Sequence, residues 1–586
     1  MIFLKHFRHY YLKYGLSFLL GVAILVVIDW YQLEIPRIIK TIIDGVEDKT
    51  IIDVSQILWP LLTIVFITAG ITIGRFLWRL LLFGNSRKIE TDIRQEMFKH
   101  ATKLDQNFYS HEKIGGLMSH FINDLSSVRE LYGFGLLMIV DGLVLGIFVL
   151  IRMFSLNWVM TLYAFIPMAL MGVLVFFLEV KMEQKYKLRQ DAFEETSDYA
   201  QESFTGITVI KAYIREASEA LGFKKKSNKV YEKSMDHMRY SIIVNIIIDA
   251  MISVVIIAII AFGSILIAKS ELTSGELTEY IAYFFTLLWP VFAISWFLNI
   301  NGQAQASAKR IYGFLEAKPI VFEQADAVKE AALDGSISFT NLTFTYPDAT
   351  EPILKNVSFE IKAGEMVGVL GKTGSGKSTL VELLLHIYNI EEGMVRFGAY
   401  DHAHLSLKTL REHIGYVPQD NFLFSDTIAN NIGFAFDNID EEKVVEVSQL
   451  ADLHEDVMSF KERYQTVLGE RGVTISGGQK QRVSIARALI KNPTILILDD
   501  SVSAVDTKTE EDIIKNLRRV RKGKTTLMIA HRISTVRNLD KIVLIDQGRI
   551  AGFGTHAELL KTNSLYKEIY KMQKLEALVG EEASHA

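Results

Sequence analysis

Hydrophobic and polar positions are distributed unevenly along the chain. As far as about residue 300, long apolar runs alternate with polar stretches; beyond it, apolar residues come in short runs broken by glycine, proline and acidic residues. Six of the long runs, approximately 15–35, 57–84, 134–154, 157–178, 241–268 and 277–300, meet the requirement of about 20 residues for a membrane-spanning helix. The polar stretches after the second and fourth runs are long and nearly free of proline. Their apolar residues recur at helical spacing, as in Ile89, Ile93, Met97 and Phe98. The pattern therefore predicts helices that continue beyond the membrane, where twenty-odd residues reach roughly 30 Å. Their turning points are expected near Phe108–His111 and near Glu202–Tyr213.

Charge orients this half. Lys5, Arg8 and Lys13 precede the first run, and the two long polar stretches carry most of the remaining Lys and Arg, including Arg87, Lys88, Arg94, Lys181, Lys185 and Lys187. Positive-inside asymmetry then places both termini on the cytoplasmic side. The first run is too long for a cleavable signal and lacks a small-residue cleavage site, so it is expected to stay as an anchor. Asp29, Arg75, Arg79, Asp141 and Asp249 fall inside the runs. An unpaired charge at mid-membrane costs at least about 2.5–3.5 kcal/mol, so these residues should face a bundle interior or a wet cavity. Internal pairing or snorkelling suits Arg75, Arg79 and Asp249. Asp29 and Asp141, with Trp289 and Trp296 from the aromatic sixth run, are the candidate membrane cavity; lipid contact is the alternative for the tryptophans.

The remainder reads as a water-soluble enzyme. Residues 302–334 are polar and alanine-rich and are expected to be a linker, 335–575 a compact domain, and 576–586 a disordered tail. Strand-like alternation begins at Ile337, and Tyr346 is placed to stack on a base. Gly371–Ser378 reads GKTGSGKS, the phosphate-loop pattern, between an apolar strand and a helix. Gly371, Gly374 and Gly376 let backbone N–H groups wrap a polyphosphate, together with Lys372, Thr373, Ser375 and Thr379. Lys377 neutralises phosphate charge, and the Ser378 hydroxyl suits Mg²⁺. The run Ile495–Leu498 ends in Asp499, a second Mg²⁺ ligand, and Asp500, a candidate base for an attacking water. The function implied is use of ATP.

Composition narrows the class further. The 586 residues are 49% hydrophobic with a mean hydropathy of +0.22, high for a soluble protein. The net charge of −5 gives no support to nucleic-acid binding. With no cysteine, a disulfide framework and a thiolate-bound metal are excluded.

Ile475–Gln479 reads ISGGQ, and with it the motif order becomes distinctive. The chain resembles an ATP-binding cassette (ABC) exporter half-transporter, in which six transmembrane helices form a membrane α-helical bundle (1–301) fused to a cytosolic α/β P-loop ATPase domain. ISGGQ differs from the family signature by one conservative change. The resemblance implies that Tyr346 stacks on adenine, that Gln419 contacts Mg²⁺ and water, that Ser503 and Asp506 belong to the D-loop, and that His531 contacts the γ-phosphate. Glu470–Gly472 resembles the exporter coupling stretch. In the family two cassettes meet head to tail, so Ser476, Gly477, Gly478 and Gln479 would cap ATP held by a partner, and the long cytoplasmic turns would touch the ATPase half.

One position departs from the pattern. Fully active cassettes carry Glu where this chain has Asp500, one methylene shorter. The resemblance is then to the degenerate-site subunit of heterodimeric bacterial multidrug exporters. It implies a partner half-transporter, amphipathic substrates, and a multi-pass place in a bacterial plasma membrane. A homodimeric lipid or peptide exporter and a regulatory or channel-gating ABC protein remain the alternatives.

Overall fold

A computed structural model describes residues 7–51, 53–324, 326–501 and 507–585. The chain forms two compact units, Met1–Thr102 with Ile114–Ala317, and Lys103–Lys113 with Lys318–Ala586.

The first unit is all-helical: α1 (Gly15–Gln32), α2 (Glu34–Glu47), α3 (Val54–Ala101), α4 (Ile114–Leu156), α5 (Trp158–Thr205), α6 (Glu216–Ala268) and α7 (Ser274–Glu316). Polar side chains start the long helices where the apolar pattern begins. Asp53 and Gln56 close a capping box on α3, Asn157 accepts from Met160 N at 2.9 Å on α5, and Thr273 and Glu276 cap α7. Among the described residues, five helices are long and apolar enough to cross a membrane, with α1 and α2 taken together as one. The segment expected at 157–178 lies in α5, where several side chains fall outside the described residues. As the spacing predicts, α3, α5 and α6 run unbroken from apolar into polar sequence. Ile89, Ile93 and Met97 form a fully buried stripe, but Phe98 lies off it and is exposed, because neighbours in sequence point 100° apart on a helix. Two π turns, His120–Asp124 and Leu131–Gly135, interrupt α4. At the first, Asp124 accepts from Ser307 Oγ at 2.8 Å and Arg310 Nε at 3.1 Å.

One expectation about the ends of these regions is corrected. The stretch from residue 302, expected to be linker, continues α7 as far as Glu316. Its small residues are a packing face, for Ala304, Ser307, Ala308, Ile311 and Phe314 recur at helical spacing and are all buried. Positions 576–585, expected to belong to a disordered tail, fall within the range of the helix Ser564–His585.

In the second unit, β1 (Ile337–Phe344), β2 (Leu354–Ile361), β4 (Val395–Phe397) and β5 (Tyr400–Asp401) form an antiparallel sheet in the order β2-β1-β4-β5. A six-stranded sheet has the order β10-β9-β3-β8-β7-β6. Its strands are β3 (Met366–Gly371), β6 (Ile414–Val417), β7 (Ile495–Asp499), β8 (Thr525–Ala530), β9 (Lys541–Asp546) and β10 (Arg549–Gly554), parallel except for β10. Strands buried on both faces send alternate residues to two cores. Val367, Val369, Ile495, Ile497, Leu527 and Ile529 pack with the antiparallel sheet and with α8 (Lys377–Leu384). Met366, Leu370, Leu496, Leu498 and Met528 pack with α9 (Gly477–Leu489).

The first long polar turn belongs to this unit. Its short helix Gln106–His111 is capped by Asp105, which also accepts from Val321 N at 3.1 Å, while His111 Nε2 lies 2.6 Å from Asp348. The second turn, Ile207–Ala212, packs with the first unit.

Candidate nucleotide site and membrane cavity

Four adjacent parallel strands end at one edge of the six-stranded sheet. Leu370 pairs with Ala530, Ile529 with Asp499, and Leu498 with Val417. Gly371, His531, Asp499 and Gln419 therefore follow from neighbouring strand ends, where an open α/β sheet places its ligand.

The phosphate loop leaves β3 with little room. A Cβ at Gly371 would lie 2.3 Å from the Ile545 carbonyl oxygen, and Gly376 has φ 99°, a conformation favouring glycine. Lys377 Nζ crosses the loop to donate to the Gly371 and Lys372 carbonyls at 2.8 and 2.9 Å. Burial lowers the lysine's pKa, opposed by the charges of Asp499 and Asp500. The Ser375 hydroxyl is buried with no hydrogen-bond partner, an orphan that a phosphate oxygen satisfies. Thr379 and Tyr346 meet: the Tyr346 hydroxyl lies 2.8 Å from Thr379 Oγ1 and donates to Glu382 Oε2 at 2.8 Å. Lys372, Thr373, Gly374 and Ser378 are exposed along the loop.

Burial raises the Asp499 carboxyl to about 6, and the Asp500 charge adds to this, while the Ser378 hydroxyl and Lys377 pull the other way. Asp499 and Ser378 are thus neighbours, and a hydroxyl with a carboxylate is the hard-oxygen donor set that fits Mg²⁺. Among the described residues, no cluster of three acidic or histidine side chains could hold a metal alone. Phosphate and water oxygens would have to complete the shell.

Asp500 has φ 46°, and its N–H bonds Ile529 O at 3.0 Å. Its charge acts on both Lys377 and His531. Burial, and then Lys377, lower the His531 pKa. Gln419 is exposed at the end of β6. Ser476 caps α9, accepting from Gln479 N at 3.2 Å, while Gln479 Oε1 accepts from Ser476 N at 3.0 Å. Gly477 is exposed with open space around it, and Gly478 is half-buried, so this helix N-terminus is accessible to an anion. Ser503 and Asp506 lie outside the described residues. Glu382, which holds the Tyr346 hydroxyl, was not among the sequence candidates; its position one turn beyond Ser378 in α8 is the signal that could have found it.

In the helical unit, Asp29, Asp141 and Trp289 line a cavity of about 300 Å³ together with Arg75, Arg79 and Gln32. The Trp289 indole N–H donates to Asp141. Trp296 does not line it, but meets the Trp289 ring edge-on at 6.1 Å between centroids. Arg75 and Arg79, expected to pair or snorkel, reach the same space; no sequence period reveals which helices pack around it. Arg75 donates to Gln32 at 2.9 Å. Asp249 is exposed elsewhere. Tyr280, Tyr283 and Phe284 of the aromatic run are core, whereas Phe285, Phe292 and Trp296 are exposed.

Long apolar helices that run on into polar sequence, continuous with a P-loop unit carrying a capped ISGGQ helix, define an ABC transporter, an ATPase coupled to transport. The chain belongs to that family: residues 18–291 match the ABC transporter transmembrane region and residues 354–503 the ABC transporter family. It is similar to the multidrug resistance-like ATP-binding protein MdlA of Escherichia coli (35% identical, covering 98% of this chain and 97% of that one). It is also similar to the probable multidrug resistance ABC transporter ATP-binding/permease protein YheI of Bacillus subtilis (34%, 98% of each). Its fold matches a bacterial Atm1-family ABC exporter with ATP bound, at TM-score 0.77 and 24% identity, over 97% of this chain and 99% of that one.

Proposed function

We propose that this chain is one subunit of a heterodimeric exporter that drives amphipathic small molecules, drugs among them, outward across a bacterial plasma membrane. Full-length similarity to two bacterial proteins with multidrug resistance in their names supports the substrate class. Six spans with both termini cytoplasmic fit the placement of Lys and Arg.

The observation that carries the assembly is Asp500. Tyr346 would stack on adenine, with Gly371–Thr379 around the phosphates and Ser378, Asp499 and Gln419 toward Mg²⁺. When bound, the metal supplies charge neutralisation on the transferring phosphoryl oxygens. Asp500 and His531 face that place, but a carboxylate shortened by one methylene is set back on the order of 1 Å, enough to lower a rate about 10²-fold. This chain's phosphate loop then holds ATP and turns it over slowly. Its signature, Ser476–Gln479, completes the faster site of a second, related subunit.

Purification from the native membrane tests the assembly. A second half-transporter with Glu at the Asp500-equivalent position should co-purify in equal amount; recovery of this chain only with itself would favour the homodimeric reading. ATP-dependent uptake of an amphipathic dye into inverted vesicles holding both chains tests export. ATP binding with no uptake of any dye would favour a gating role.

A further inference from the structure

The membrane cavity holds two carboxyl groups side by side, with no ion pair to either among the described residues. Asp29 is 2% exposed, and its Oδ2 receives no hydrogen from any N–H or O–H. The carboxyl beside it is that of Asp141, which accepts from Trp289. Arg75 acts on both carboxyls through its charge, but among the described residues neither arginine of the cavity forms an ion pair with them. Arg75 donates to Gln32, the Arg79 guanidinium lies 5.5 Å from the centre of the Trp78 ring, and both are exposed. The charged groups around the pair are therefore Asp29 from α1, Arg75 and Arg79 from α3, and Asp141 from α4; α7 contributes only Thr286 and Trp289.

Two ionised carboxylates in contact repel, and neither can donate a hydrogen bond. One proton shared between them removes the repulsion and satisfies the orphaned oxygen. A cation can do the first of these as well. Replacing the proton with a monovalent cation leaves the charge of the cavity unchanged, so exchange avoids the penalty of adding a lone charge to the membrane interior. The Trp289 ring beside the carboxyls favours an organic cation through its π face. A space of about 300 Å³ takes a cationic head, and Leu25, Met138 and Leu145 in its wall suit the adjoining apolar part.

We propose that Asp29 and Asp141 form a cation subsite that works by exchange: the empty cavity carries one proton shared by the two carboxyls, and a monovalent amphipathic cation displaces it to water. The fate of the cation rests on the export reading above; the exchange does not.

The test uses the assembled full-length transporter in nanodiscs, with tetraphenylphosphonium as the probe and its isostere tetraphenylborate as the charge control. In weakly buffered solution with a pH indicator, the cation is expected to release about one proton per molecule bound, and the anion none. Asp29→Asn should abolish the release and weaken cation binding about tenfold, while Asp29→Glu keeps both within a few-fold. Because exchange conserves charge, Arg75→Gln should move cation affinity less than about threefold, whereas simple addition of a cation would be tightened further. No saturable cation binding, binding without proton release, or a clear tightening in Arg75→Gln would each overturn the proposal, and the last two need no Asp29 variant. Uptake of the same cation into inverted vesicles is read separately. Proton release without ATP-dependent uptake contradicts export and leaves the subsite standing; uptake with unaltered affinity in Asp29→Asn does the reverse.

Discussion

Tyr346 illustrates how one side chain is prepared before its ligand arrives. Phe344 and Tyr388 meet its ring edge-on or nearly so, each at 5.2 Å between centroids, and Thr379 and Glu382 hold its hydroxyl. Base–aromatic stacking is worth about 1–3 kcal/mol, so Tyr346→Ala should weaken ATP binding roughly 5- to 150-fold. Tyr346→Phe, which keeps the ring and loses only the hydroxyl bonds, should cost less than about fivefold. Titration with a fluorescent ATP analogue separates the two. A second residue-scale prediction concerns His402, fully buried with its ring 4.4 Å from that of His386. Burial lowers its pKa from 6.5 to about 3, and His386 adds to the effect. Between those values the unfolded chain binds the proton and the folded chain does not. The stability is therefore fully present above 6.5 and is lost as pH falls below it, by up to about 1.4 kcal/mol per pH unit. The thermal midpoint of the ATPase unit should drop between about pH 7 and pH 5, and His402→Phe should flatten that drop; an equal drop in the variant would exclude this histidine as the cause.

Among the elements, legibility followed the kind of signal. The phosphate loop, the ISGGQ helix and β7 were readable because each combines a special backbone need or charge with an apolar strand or helix beside it. The strand ends from β3, β6, β7 and β8 then met at one edge because parallel pairing aligns them. The end of α7 was not readable in the same way. Alanine and serine look like linker by composition, and only the partner face reveals them as a close-packed stripe. Glu382 was missed, and Arg75 was assigned to pairing or snorkelling rather than to the cavity, for a related reason: their significance lies in which helix or ring stands opposite. The second long turn is the converse case, since Tyr213 was placed at a tip and is 76% exposed there, with Ile214 next to it 85% exposed. Apolar groups at a helical tip suit a docking surface, and the family resemblance has the long turns touch an ATPase unit. Ile214→Asp should therefore lower dye uptake at least about fivefold while ATP affinity stays within twofold, because burying one isoleucine is worth about 1.5–3 kcal/mol. Uptake at the unaltered rate would remove this turn from the coupling path.

At the scale of the whole molecule, two compact units divide the work, one lined by ionisable and aromatic side chains in an apolar bundle, the other built to hold a nucleotide. The central claim is that this chain's ATP site and its signature serve different hydrolytic sites of unequal speed. Asp500 lies in the left-handed backbone region, which aspartate tolerates better than glutamate does, so backbone and side chain agree on the shorter acid. Steady-state ATP hydrolysis by the assembled transporter, compared between Asp500→Asn and Ser476→Ala, tests this most directly. The division of labour predicts that Asp500→Asn changes turnover less than about threefold, whereas Ser476→Ala, which removes a γ-phosphate contact from the fast site, lowers it at least about tenfold. Loss of nearly all hydrolysis in Asp500→Asn would contradict it.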